Sequence, residues 1–177
     1  DTDDVRFTLS HVRYKQGRFE ESLDLIALCI TSEAPSLEVR RSYLAAALTW
    51  ATEDPEAAHH DQILPKQRAA LVNAIRLFEP LESALAGIQV DGASEEVSGN
   101  ACVALLLVGE RSRARALAAV ALDRHPTLES ALRIRVDELA STRNIAGLRK
   151  LTDGRYEELP ATTLAALAEV AANEGDL

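Results

Sequence analysis

The sequence predicts an all-α protein, and three observations carry that prediction. Of 177 residues, 30 are Ala and 26 are Leu. These are two of the strongest helix formers, because Ala loses no side-chain entropy in a helix and Leu loses little. Aromatic residues make up only 4%, and β-branched residues are sparse, so the side chains that suit a pleated surface are in short supply. Apolar positions recur at three- and four-residue spacing nearly everywhere, which is the period of a helix face and not the alternation of a strand. A chain of this size buries roughly 70% of its unfolded surface, enough for one compact domain or a short array of repeated units.

Taken in order, the pattern places helices near residues 3–16 and 19–32, the second ending before Pro35, and a third over about 37–52. The polar stretch TEDPEAAHHDQIL follows. Pro65 then opens a long helix over about 65–86, because a missing N–H costs nothing at the first helical position. GIQVDGAS reads as a loop from its glycines, Asp91 and Ser94. Ser94 is placed to cap the next helix, with Glu95 and Glu96 favourable in its first turn. That helix reaches about residue 108, and further helices fall near 110–124, 127–141, 145–152 and 161–174. Nine helices result, with no stretch that reads as a strand or a βαβ unit.

The chain also repeats. YKQGRFEESLDLIALCITSEAP and LLVGERSRARALAAVALDRHP each place a glycine, Gly17 or Gly109, between two apolar helices. Five residues on comes Ser22 or Ala114, twelve on comes Cys29 or Ala121, and a proline, Pro35 or Pro126, closes the second helix. Asn144 and Gly175 continue the series, with Asn144 expected at a left-handed corner because asparagine tolerates that conformation. The longer step from Gly17 to Gly109 is absorbed by the loops at 53–64 and 87–94 and the lengthened helix between them. The stretch resembles the tetratricopeptide repeat, a helix–turn–helix unit of about 34 residues. Ser10, Ser22 and Cys29, and again Cys102, Ala114 and Ala121, fall where that family keeps small residues so that two helices can approach closely.

The resemblance implies a right-handed superhelical solenoid with units near 3–35, 37–86, 95–126, 127–153 and an incomplete 160–177. Each first helix would line a concave groove, and each pair would be stabilised by stacking on the next. An array ending on a lone helix would leave an apolar flank for more protein or another subunit to cover. The groove positions implied by the resemblance are Asp4, Phe7, His11, Tyr14 and Lys15 on the first helix, Ile134, Arg135, Glu138 and Thr142 on the fourth first-helix, and Glu169 on the fifth. Phe7 and His11 stand where some family members carry a clamp for a terminal carboxylate, so that activity does not transfer.

The remaining chemistry is modest. Trp50 is the single tryptophan and reads as packing against the long loop, with a groove anchor as the alternative. His59-His60-Asp61 lacks the convergent spacing a metal site needs and reads as a solvated loop. Cys29 and Cys102 read as small buried hydrophobes. The net charge is −9, yet residues 111–155 hold ten Arg and Lys against five Asp and Glu. Arg111, Arg115, Arg133, Arg149 and Lys150 mark that basic stripe. It is expected to be a solvated face laced with ion pairs such as Arg133–Asp137, with an acidic partner or nucleic-acid phosphates as alternatives. No nucleophile–base pair, phosphate-cradling loop or metal-ligand spacing is present, so no catalytic residue, metal or cofactor is expected. No apolar run nears the ~20 residues of a membrane span, and no leader peptide is visible, which points to the cytoplasm. Without a Met, and ending at EGDL, the chain reads as a segment of a longer protein. The expected function is a scaffold that binds a peptide or partner protein in its groove. The alternatives are a sensor domain for a small peptide or effector, or a nucleic-acid binder.

Overall fold

The computed structural model describes residues 2–30, 35–53, 63–79, 92–152, 159 and 161–174, apart from the side chain of Ala93 and some side chains in the last helix. Among these residues the fold is all helix and turn, with no strand. Nine helices are described: α1 (Thr2–Lys15), α2 (Phe19–Cys29), α3 (Leu37–Glu53), α4 (Pro65–Arg76), α5 (Gly92–Leu107), α6 (Arg111–Arg124), α7 (Glu129–Ser141), α8 (Ile145–Thr152) and α9 (Ala161–Glu174). They divide into two compact units, residues 1–88 with 104–109 and residues 89–103 with 110–177.

In the first unit α1 carries Asp3 and Asp4 in its first turn and Arg13 and Lys15 in its last, the arrangement the helix macrodipole favours. It ends on Gly17 at φ 72°. The Gly17 N–H donates to Tyr14 O at 2.9 Å and the Arg18 N–H to Arg13 O at 3.0 Å, the two bonds of a Schellman closure. The chain then reverses, and α2 packs on α1. The Ser22 hydroxyl donates to the Ser10 carbonyl at 2.9 Å, and both serines are fully buried. Small side chains therefore set the closest approach of this pair, as expected. Glu21 braces the corner by pairing with Arg18 and Arg13. The helices α2 and α3, and α3 and α4, also pack together. Their core includes Ile26, Leu44, Ala47, Leu71, Ala74 and Phe78.

Pro65 does open α4. Its start is held by Gln67, a fully buried amide. Gln67 Oε1 accepts the Leu64 N–H at 2.8 Å, and its Nε2 donates to the Trp50 carbonyl at 3.0 Å, tying α4 to the end of α3. The helix expected to reach residue 86 stops at Arg76. Phe78 and Glu79 then close with i→i−3 bonds to Ile75 and Arg76. Pro80 explains the stop: it disfavours α geometry at Glu79 and has no N–H to continue the ladder. Phe78 is buried at the turn beneath the Arg40 guanidinium, 5.3 Å from the ring centre.

In the second unit α6 packs on α7, and α7 packs on both α8 and α9. The helix α5 begins at Gly92, so Gly92 to Ser94 are helical and not the end of a loop. Ser94 is consequently not a cap. It lies inside the helix, where its buried hydroxyl pairs with His125 Nε2 at 2.8 Å. A Cβ added at Gly99 would lie 3.2 Å from Leu128 Cδ1 and Ser130 Oγ, so this glycine lets α5 sit close to the start of α7. Val136, Leu139 and Leu148 form a core with Ile145, Leu151 and Leu167 packed around it.

The α7–α8 corner corrects another expectation. The left-handed residue is Arg143 at φ 52°, not Asn144. The Arg143 N–H donates to Ala140 O at 3.0 Å and the Asn144 N–H to Leu139 O at 2.8 Å, the same closure seen at Gly17. Asn144 instead caps α8, its Oδ1 accepting the Gly147 N–H at 2.8 Å.

Candidate functional site

The residues expected to line a groove fall in both units and are described separately. On α1, His11 and Lys15 are exposed, and Phe7 and Tyr14 are partly buried. The His11 ring stands edge-on to Phe7 with centroids 4.6 Å apart at 84°. Its Nδ1 lies 2.9 Å from the Phe7 carbonyl. A carbonyl only accepts, so Nδ1 carries the hydrogen and Nε2 is left toward solvent. Tyr14 does two jobs. Its ring packs edge-on to Phe19, centroids 5.5 Å apart, and its hydroxyl bonds Thr49 Oγ1 on α3 at 2.9 Å. Tyr14 therefore joins alternate helices as well as presenting an aromatic edge. Asp4 borders a different feature, a shallow depression of about 390 Å³ shared with Val5, Thr8, Leu9 and Val12.

On α7, Arg135 and Glu138 form an i, i+3 ion pair. The exposed Thr142 donates its hydroxyl to the Glu138 carbonyl at 2.9 Å. Ile134, expected on the same face, is only 5% exposed and belongs to the core. The side chain of Glu169 lies outside the described residues.

In the basic segment, Arg111, Arg133, Arg149 and Lys150 are exposed and Arg115 is partly buried. These five residues are spread over α6, α7 and α8. Arg113 pairs with Glu110 at 2.7 Å, and Arg135 pairs with Glu138, so part of the local positive charge is offset. Among the described residues no pairing of Arg133 with Asp137 is seen, and both are exposed.

Cys102 is fully buried, and burial pushes its thiol up to about 12. Cys29 is only partly buried, which departs from the expectation, and both thiols are free. Burial raises the Cys29 thiol, and the nearby Asp3 charge adds to the shift. Trp50 is partly buried, and its carbonyl serves Gln67. The loop expected behind it, with His59, His60 and Asp61, lies outside the described residues. The described residues hold no cluster of three metal-ligating side chains. No helix among them is long and apolar enough to cross a membrane.

The sequence reading missed one juxtaposition, Ser94 with His125. Thirty-one positions separate them, and neither residue sits in a motif. Ser94 is 1% and His125 8% exposed, so the pair acts as a tie between α5 and the end of α6, out of reach of a substrate carbonyl. The geometry overall defines a helical protein with polar and aromatic side chains displayed on helix faces. Comparison with protein-family models, curated proteins and solved structures returned no match.

Proposed function

We propose that this chain is a helical-repeat scaffold that binds a peptide or partner protein on a face built from alternate helices, in the manner of tetratricopeptide arrays. The observation that carries this reading is the Tyr14–Thr49 hydrogen bond, which joins α1 to α3 across 35 residues, about one repeat length. It links two helices that would each be the first of a pair, and His11 and Lys15 are exposed on the first of them. In repeat arrays of this kind each helix pair is stabilised by stacking on the next. The Schellman corner at Gly17 and the serine contact between Ser10 and Ser22 support the pairing. Two free thiols are compatible with a reducing compartment such as the cytoplasm.

Affinity on such a face comes from a preformed surface, which lowers the ordering cost of association. His11 offers a free ring nitrogen, Lys15 a cation and Phe7 an aromatic edge, a set suited to an extended peptide or an amphipathic helix.

The test is selection of binders from a displayed peptide library, followed by affinity measurement against His11→Ala/Lys15→Ala. Selected peptides should lose roughly tenfold or more in affinity, while circular dichroism shows an unchanged helix content. Equal binding by the double variant would place recognition elsewhere. Tyr14→Phe serves as a structural control: it removes only the bond to Thr49 and should cost about 1 kcal/mol of stability.

A further inference from the structure

The side of α1 turned away from α2 carries Val5, Leu9 and Val12, which are 67%, 39% and 44% exposed. Their spacing of four and then three residues aligns them in one stripe along the helix. With Asp4 and Thr8 they line the depression of about 390 Å³. Single exposed apolar residues are ordinary, but three in register make an unpartnered face.

The charges of the same helix say what covers it. Asp3 and Asp4 lie in its first turn, Arg13 and Lys15 in its last. A partner helix of uniform charge would be repelled at one end. A second α1 running antiparallel meets acid with base at both ends and opposes the two macrodipoles. About a two-fold axis midway between Thr8 and Leu9, Val5 of one copy faces Val12 of the other and Leu9 faces Thr8. Asp4 then lies on the same side of the contact as Lys15 of the second copy, while Arg13 stays with Glu21 on α2. The register is self-consistent, as an isologous contact requires.

We infer that the outer face of α1 is a homodimer surface, formed by two antiparallel copies of α1 centred on Leu9. Its apolar stripe, Val5, Leu9 and Val12, takes no part in the peptide-binding reading, which shares only Asp4 and Lys15 at the edge of this face, and the dimer does not depend on that reading. One helix pair buries less than the roughly 1,200 Å² of a standard interface, so the dimer is weak and forms only as concentration rises.

Sedimentation equilibrium of the 177-residue chain from about 10 μM to about 1 mM should show a reversible monomer–dimer equilibrium. Leu9→Glu should raise the dissociation constant at least about tenfold, with unchanged circular dichroism because Leu9 is exposed. Asp4→Arg alone and Lys15→Asp alone should each weaken the dimer roughly fivefold. An equimolar mixture of those two variants should recover it, because in the heterodimer both ends again pair opposite charges. A chain that stays monomeric at the highest concentration overturns the inference and leaves the stripe to a different protein. Self-association indifferent to Leu9→Glu overturns it too, as does a mixture that associates no better than either variant.

Discussion

At the corner between α1 and α2 the left-handed residue is Gly17, with φ 72°, and between α7 and α8 it is Arg143, with φ 52°. Both corners close through the same pair of backbone bonds. At Gly17 an added Cβ would meet no atom within 4 Å, so space is not what excludes a side chain there, and the penalty is torsional alone. At Arg143 the chain accepts that penalty, and four neighbouring residues hold it. Asn144 caps α8, Gly147 lets α8 press onto α7, and Leu139 and Leu148 pack beneath the turn. The comparison teaches that a left-handed corner in this protein is a consequence of how the flanking helices pack. Glycine only makes it less costly.

Four measurements break or sharpen that comparison. The largest effect belongs to Gly147→Val. Even a Cβ there would lie 2.7 Å from Leu139 Cδ2, so overpacking should cost about 2–3 kcal/mol, read as a lower denaturant midpoint. An unchanged midpoint would mean that α8 is not seated on α7. Next come two mirror-image substitutions. Gly17→Arg should destabilise by about 1 kcal/mol, and Arg143→Gly should stabilise by about 0.5–1 kcal/mol. Stabilities of opposite sign are the expected outcome, and loss of stability in Arg143→Gly would place the left-handed residue elsewhere.

Asn144→Ala, which removes the cap of α8 but leaves the corner residue in place, should cost roughly 0.5–1 kcal/mol. The corresponding position after Gly17, Arg18, makes no side-chain cap bond to α2, so Arg18→Ala should do less in the same thermal melts. The smallest effect, read at pH 9, separates the two cysteines. The Cys102 thiol is pushed to about 12 from an ordinary 9.0. The folded state therefore holds this proton above pH 9, where the unfolded chain has lost it. Stability is full below pH 9 and falls as pH rises from there toward 12, by about 0.4 kcal/mol at pH 9 itself. Cys102→Ala should flatten that alkaline slope. Alkylation of the native chain near pH 8 should mark the partly exposed Cys29 first, and early modification of Cys102 would contradict its burial.

Much of the fold was legible because its signals are local. Ala and Leu content, the three-and-four spacing, Pro65 at a helix start and Gly17 at a corner all act within a few residues of themselves. Small residues in register announced the close approach of α1 and α2. The misses have a common cause. Ser94 looked like a cap because its neighbours Glu95 and Glu96 suit a first turn, but the helix begins earlier, and His125, just past the end of α6, takes the hydroxyl. Asn144 looked like a corner because of its intrinsic tolerance, but the register of α7 against α8 moved the corner back by one residue. Ile134 shares a helical spacing with Arg135 and Glu138 yet faces the core, since periodicity orders residues around a helix without saying which neighbour lies on each side. The apolar stripe of α1 was readable as Val5, Leu9 and Val12, but its exposure was not.

The sequence by itself determined that this chain is helical, where most helices run, and where a first corner falls, because propensity, spacing and turn chemistry are properties of adjacent residues. Tertiary structure decided the rest: that Gln67 bridges α3 and α4, that an arginine occupies a glycine's conformation, and which face of α1 is left uncovered. Those outcomes depend on contacts between residues far apart in the chain. Their energies are settled only when both partners are in place.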